Sequence, residues 1–238
     1  MDESLNGQTE PRFHCEPIVR FSTSGLKLAA VEFMAGGPTA ATWKARGKLL
    51  ELDCLAAEAA RRLKLPEHVA VHLNLPVGEP TRALDSQRYL SALKILSEER
   101  RVVLEIPEYA QAQDFADAFE IARLTGVCLV VDDLAPGNQA WQWVEDNLRQ
   151  CADAGRAIAY GGKFDWVYFQ SSVRDGARWD DFCQHVHRFG DALCSVTIEG
   201  IENVRHLLSL GALVRPGITF DVQGFFLNDL FKDRIKRM

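Results

Sequence analysis

The chain has 238 residues, 47% of them hydrophobic and 25% charged, with a formal net charge of −6. A chain of this size buries about 70% of its unfolded surface and needs no disulfide or metal to fold, and its composition excludes disorder, collagen and coiled coil. The acidic balance argues against a general nucleic-acid binder, no apolar run approaches the roughly 20 residues of a membrane span, and the polar start MDESLNGQTE is not a signal peptide. The expectation is a soluble cytoplasmic protein.

Strand-like apolar runs are predicted at Phe13–Phe21, Leu26–Met34, Val69–Leu75, Val102–Ile106, Val127–Val131, Phe164–Phe169, Leu193–Ile198 and Ile218–Phe226. Helical periodicity lies between them at Lys48–Leu65, Ser86–Glu99, Asp114–Leu124, Gln139–Asp153, Trp179–Phe189 and Val204–Leu210. Strands crowded with Val, Leu and Ile and alternating with helices point to an α/β fold, a (β/α)8 TIM-type barrel. The first two strands are joined only by Ser22–Gly25, too short for a parallel crossover, so the first strand is predicted antiparallel. No repeat or linker divides the chain. Residues 1–11 are read as a flexible arm, 12–238 as one barrel domain, and the basic end FKDRIKRM as a loosely docked terminus.

Polar residues stand where buried runs end: Glu32 in AAVEF, Asn74 in VHLNL, Glu105 in VVLEI, Asp132 and Asp133 in LVVDD, Glu199 in VTIEG and Gln223 in DVQG. Carboxyl ends of barrel strands converge on one mouth. Carboxylates gathered there require raised pKa values or divalent cations, and oxygen-only ligation selects Mg²⁺, Mn²⁺ or Ca²⁺ over Zn²⁺. The six cysteines show no metal-type spacing and read as buried reduced thiols. His185 and His187 read as solvated helix residues, and His72, between Val71 and Leu73, as a satisfied half-buried side chain.

These segments resemble, in order, the motifs of the EAL domain family of cyclic di-GMP phosphodiesterases. CEPIV is similar to the family's Q-P-I-V, AVEFM to E-A-L, VHLNLP to V-N-L-S and LEIPE to E-I-T-E. VVDDLAPG is similar to D-D-F-G-x-G, TIEGIEN to A-E-G-V-E-T and GALVRPGITFDVQGFFL to the Q-G-Y-x-F close. The resemblance implies a barrel of EAL type with an antiparallel first strand, two divalent metals (Mg²⁺ or Mn²⁺) and in-line phosphodiester hydrolysis. It gives metal ligation to Glu32, Asn74, Glu105 and Asp132, with Asp133 at the second metal and Glu199 nearby. It places Glu16 and Gln223 toward the ligand and the attacking water, and Glu202 at a supporting loop.

The departures are chemical. Gly36 stands at the family's phosphate-gripping Arg, and Glu16 at its guanine-contacting Gln. The K-I-D motif aligns with Tyr168, Phe169 and Gln170, and Lys163 is read as preceding strand six, at its wrong end. A phenol, with an ordinary pKa of about 10, does not replace a fixed cation. Pro136 stiffens the loop after the Asp pair, a segment the family uses in dimer contacts. The resemblance then implies a catalytically degenerate EAL protein in bacterial cyclic di-GMP signalling. It would act through a protein partner such as a transcription regulator, with a homodimer left open. The alternatives are a cyclic di-GMP receptor without hydrolysis and a residual metal-dependent phosphodiesterase. Trp141 and Trp143, two apart on one helix, are candidate contact residues, with packing on the outer layer the alternative.

Overall fold

The computed structural model describes residues 11–78, 81–154, 158–211, 213–214 and 220–236. The arm 1–10, the strand start at Ile218 and the tail end at Arg237 lie outside them. Eight strands form a closed barrel in sequence order: β1 Phe13–Ser22, β2 Gly25–Ala35, β3 Ala70–Asn74, β4 Val102–Ile106, β5 Cys128–Leu134, β6 Tyr160–Phe164, β7 Val196–Ile198 and β8 Phe220–Gln223. β1 is antiparallel to both β2 and β8, and the other pairs are parallel. The short polar connection after Ser22 therefore makes the hairpin its length requires.

The helices are α1 Gly37–Ala45, α2 Leu49–Ala60, α3 Gln87–Glu99, α4 Ala112–Thr125, α5 Gln139–Asp153, α6 Trp166–Val173, α7 Gly176–Ala192, α8 Val204–Gly211 and α9 Phe225–Lys236. Successive strand residues face opposite ways. Val31, Leu73, Leu104 and Val131 pack outward into the main core under the helices. Ile18, Ala30, Ala70, Val103 and Val130 form a separate small plug inside the barrel. Two residues further toward the mouth, the same inward rows reach Glu32, His72, Glu105 and Asp132, so the alternation that builds the plug also aims the acids.

Several sequence expectations are corrected. Strand six is Tyr160–Phe164, not Phe164–Phe169. A Cβ at Gly161 would stand 2.2 Å from Ser195 Oγ, and one at Gly162 2.6 Å from Leu134 Cδ1. Close approach of β6 to its neighbours excludes side chains there. The β-like run that follows is helical because Asp165 caps α6, accepting from the Tyr168 amide at 2.7 Å.

The second correction concerns the thiols: Cys54 is buried, but Cys128 and Cys194 are exposed because they stand at the entry ends of β5 and β7. The third concerns His185 and His187, which are half-buried rather than solvated, since α7 packs on α6. The last predicted strand also ends early, at Gln223, and the basic segment continues as α9 up to Lys236. Trp141 is buried and Trp143 stacks on Phe115 at 3.7 Å, so both indoles belong to the outer layer.

Candidate metal and phosphate centre

Lys163 is the penultimate residue of β6 and 1% exposed, at the strand's carboxyl end and so on the mouth side. Its Nζ lies 2.9 Å from Glu199, 3.0 Å from Asp132, 3.1 Å from Glu105 and 3.2 Å from Glu32. This overturns the assignment of Lys163 to the wrong strand end. It also removes Tyr168 from the site: Tyr168 sits on α6, its hydroxyl 2.8 Å from His185 Nδ1 and its ring edge-on to Trp141. Lys163 and Phe164 therefore end β6 on the mouth side, with Asp165 next as the cap of α6.

The carboxylates converge as their strand-end positions predict. Glu32 also accepts from Gln223 Nε2 at 2.7 Å, and fully buried Glu105 holds His72 Nδ1 at 2.8 Å through Oε1. Adjacent residues on a regular strand would point to opposite faces, yet Asp132 and Asp133 act together. The β5–β6 register shifts between Val131 and Leu134, and Asp133 takes φ +49°. Asn138 holds this bend by donating to the Asp133 carbonyl at 2.6 Å and capping the Trp141 amide at 2.8 Å. One oxygen each of Asp132, Asp133 and Glu199 then falls within 4.8 Å of the others.

Electrostatics follow from burial. Desolvation, reinforced by Glu32, drives the Glu105 carboxyl well above its ordinary range, and desolvation raises Asp132 against the pull of Lys163. Burial lifts Asp133 to about 7 and Glu199 to about 8, with neighbouring acids adding to both. Burial alone would lower Lys163, but Asp132, Glu105, Glu199 and Glu32 outweigh it and hold the ammonium charged. Burial brings His72 down to about 3, so its imidazole is neutral. One ammonium has three N–H donors and cannot serve every lone pair of five carboxylates. If all were ionised, the excess would be about four negative charges, which two divalent cations would balance. The all-oxygen donor set suits Mg²⁺ or Mn²⁺, and the buried Gln223 Oε1 also lacks a partner.

Two clefts flank the cluster. One, of about 370 Å³, is lined by Glu16, Glu199, Glu202 and Gln223 together with exposed Trp166 and Phe225. The other, of about 290 Å³, runs from Glu32 and Asn74 past Tyr109 to Lys44. Glu16 is the cross-strand partner of Glu32 and lies 3.7 Å from His14 Nε2. Asn74 is exposed at the end of β3, and Glu202 is exposed on the rim, its backbone N–H meeting His206 Nδ1 at 3.4 Å. Gly36 terminates β2 and caps α1, with open space where its Cβ would be. The sequence reading missed Lys163 as a site residue, the His72–Glu105 contact, and the Trp166–Phe225 edge of the larger cleft.

No protein-family profile matches the chain, and no curated protein is significantly similar to it. Solved structures do match. The PaMucR phosphodiesterase in its c-di-GMP complex superposes with a TM-score of 0.67 at 17% identity, over 91% of this chain and 90% of that one. Klebsiella pneumoniae BlrP1, solved with manganese and cyclic di-GMP, gives 0.67 at 20% identity over 94% of this chain and 57% of its own. The EAL enzyme Bd1971, in its cAMP-bound form, gives 0.58 at 15% identity, and this chain spans 65% of its length. At these identities the likeness shows the fold, a closed eight-stranded barrel of the kind found in EAL domains. Among the described residues no helix is long and apolar enough to cross a membrane.

Proposed function

We propose that the chain is a divalent-metal-dependent phosphodiesterase of cyclic di-GMP whose grip on the substrate phosphate is weakened. One observation carries this reading: a buried Lys163 at the centre of Glu32, Glu105, Asp132 and Glu199, at the mouth of this barrel. Glu32, Asn74, Glu105, Asp132 and Asp133 would hold Mg²⁺ or Mn²⁺, with Glu199 beside them. When bound, the ions supply Lewis-acid charge and a water acidic enough to act at neutral pH. Lys163 is a fixed cation inside a dry site, positioned to stabilise negative charge developing on the phosphoryl oxygens. Gln223, anchored on Glu32, leaves a free oxygen to orient a water, and Trp166 and Phe225 offer flat faces to a base. Reverse-phase chromatography of cyclic di-GMP incubated with the protein and Mn²⁺ tests the reading. A linear dinucleotide should appear, and Lys163→Met should slow its formation about 100- to 1000-fold while Tyr168→Phe leaves the rate within about threefold. No product from excess enzyme over many hours, or no loss in Lys163→Met, would refute it.

A second reading is favoured by Gly36 and Glu16, which together remove a cation and add an anion at the ligand position. In it the barrel is catalytically degenerate and works by contact with a protein such as a transcription regulator, or binds the nucleotide without cutting it. Calorimetric silence toward cyclic di-GMP, joined to absence of product, would select the protein-contact form. Saturable heat without product would select the receptor.

A further inference from the structure

The inner rows of the barrel are built from small or aliphatic residues below the mouth, but His72 stands among them on β3, 7% exposed. It is level with Glu32 and Val103 in the strand register. Its Nδ1 lies 2.8 Å from Glu105 Oε1, whereas Glu105 Oε2 faces Lys163 Nζ at 3.1 Å. Glu105 has no exposure to solvent, so these two side chains fix it from opposite sides.

From this geometry we infer that His72 is a positioning residue of the metal centre: by engaging Oε1 it fixes the rotation of the Glu105 carboxylate, one of the groups that would hold the cation, while Oε2 faces Lys163. The inference rests on the metal-dependent reading above. A carboxylate rotates about its last bond unless one oxygen is tied, and a tied ligand binds metal with less loss of freedom. Replacing His72 by an apolar side chain leaves Oε1 unpaired in a buried place, with the carboxylate held through Oε2 by Lys163 and no longer fixed from both sides.

Titration of the purified, metal-stripped protein with Mn²⁺ alone, followed by calorimetry, reads this directly and without turnover. His72→Leu should weaken the Mn²⁺ dissociation constant about 10- to 100-fold. His72→Asn returns an N–H donor near the Nδ1 position and should recover affinity to within about threefold of the starting protein. His72→Val, β-branched and suited to a strand, serves if the Leu variant does not fold. Apolar variants that bind Mn²⁺ as tightly as the original, or an Asn variant that loses as much as Leu, would overturn the role of His72 while leaving the metal centre intact. Failure of the unaltered protein to take up Mn²⁺ would overturn the metal centre, and the role of His72 with it.

Discussion

On the phosphodiesterase reading proposed above, Gly36 is the residue on which phosphate binding would turn. It follows Glu32 by four positions and sits where β2 ends and α1 begins, with nothing within 4 Å of a Cβ built on it. Its φ of −55° suits any L-residue, so an Arg there strains neither backbone nor neighbours. A guanidinium presents paired donors to a phosphate, and charge-assisted hydrogen bonds contribute about 1.5–3 kcal/mol. Gly36→Arg should therefore lower KM for cyclic di-GMP about 10- to 100-fold with kcat little changed, because the gain is in holding the substrate. Steady-state kinetics separates the two parameters, and an unchanged KM would mean that the phosphate does not pass this position. The acids around it were legible from sequence because each ends an apolar run. The His72–Glu105 contact was not, since nothing in a linear pattern pairs residues 33 positions apart.

At the scale of elements, strand β6 decided how the site was understood. Its sequence YGGKF offers one aromatic and two glycines, while the next segment, FDWVYF, has the composition of a strand. Local propensity thus favours the wrong run by several residues, and only the packing of β7 and Leu134 against the glycines explains the true one. A strand over 164–169 would leave Lys163 at the entrance of the barrel, whereas β6 as formed carries it to the mouth. The hairpin of β1 and β2 was readable for the opposite reason: a four-residue connection permits one topology, whatever the tertiary context. The requirement for glycine in β6 predicts that Gly161→Ala destabilises the fold by about 1–3 kcal/mol, the usual cost of overpacking. The new methyl would meet the Ser195 carbonyl at 3.0 Å as well as its hydroxyl. Ser195→Ala in the same chain removes the hydroxyl alone and should recover only part of that loss. Denaturant unfolding gives both values, and a neutral Gly161→Ala would show that β6 and β7 can separate at no cost.

For the whole molecule, the barrel gathers five acids from the ends of four strands, β2, β4, β5 and β7, into one place, and the stability of the fold becomes tied to their charge. Asp133 near 7 and Glu199 near 8 bind protons in the folded state that an unfolded chain, with carboxyls near 4, has already released. Folding is thus favoured at low pH by these groups, and their contribution declines as pH rises from about 4 to about 8. The lowered acids Asp117 and Glu58, each held by an Arg, act the other way below the ordinary carboxylate range, and His72, lowered to about 3, acts the other way up to about pH 6.5; the two raised acids, one of them still titrating near 8, outweigh it between pH 5 and 8. Lys163, raised by its acidic neighbours, contributes stability that persists until pH exceeds the ordinary lysine value. Metal-free protein should accordingly unfold at a lower temperature at pH 8 than at pH 5, each kcal/mol lost showing as about 2–4 °C in a domain of this size. Divalent cations bind the deprotonated carboxylates and stabilise only the folded state, so millimolar Mn²⁺ should raise the midpoint at pH 8 and have little effect at pH 5. Thermal melts in the four combinations of pH and Mn²⁺ check the sign. A midpoint that rises from pH 5 to 8 without metal would mean that the mouth acids are ionised at no cost to the fold. An Mn²⁺ effect equal at both pH values would place the cation away from them.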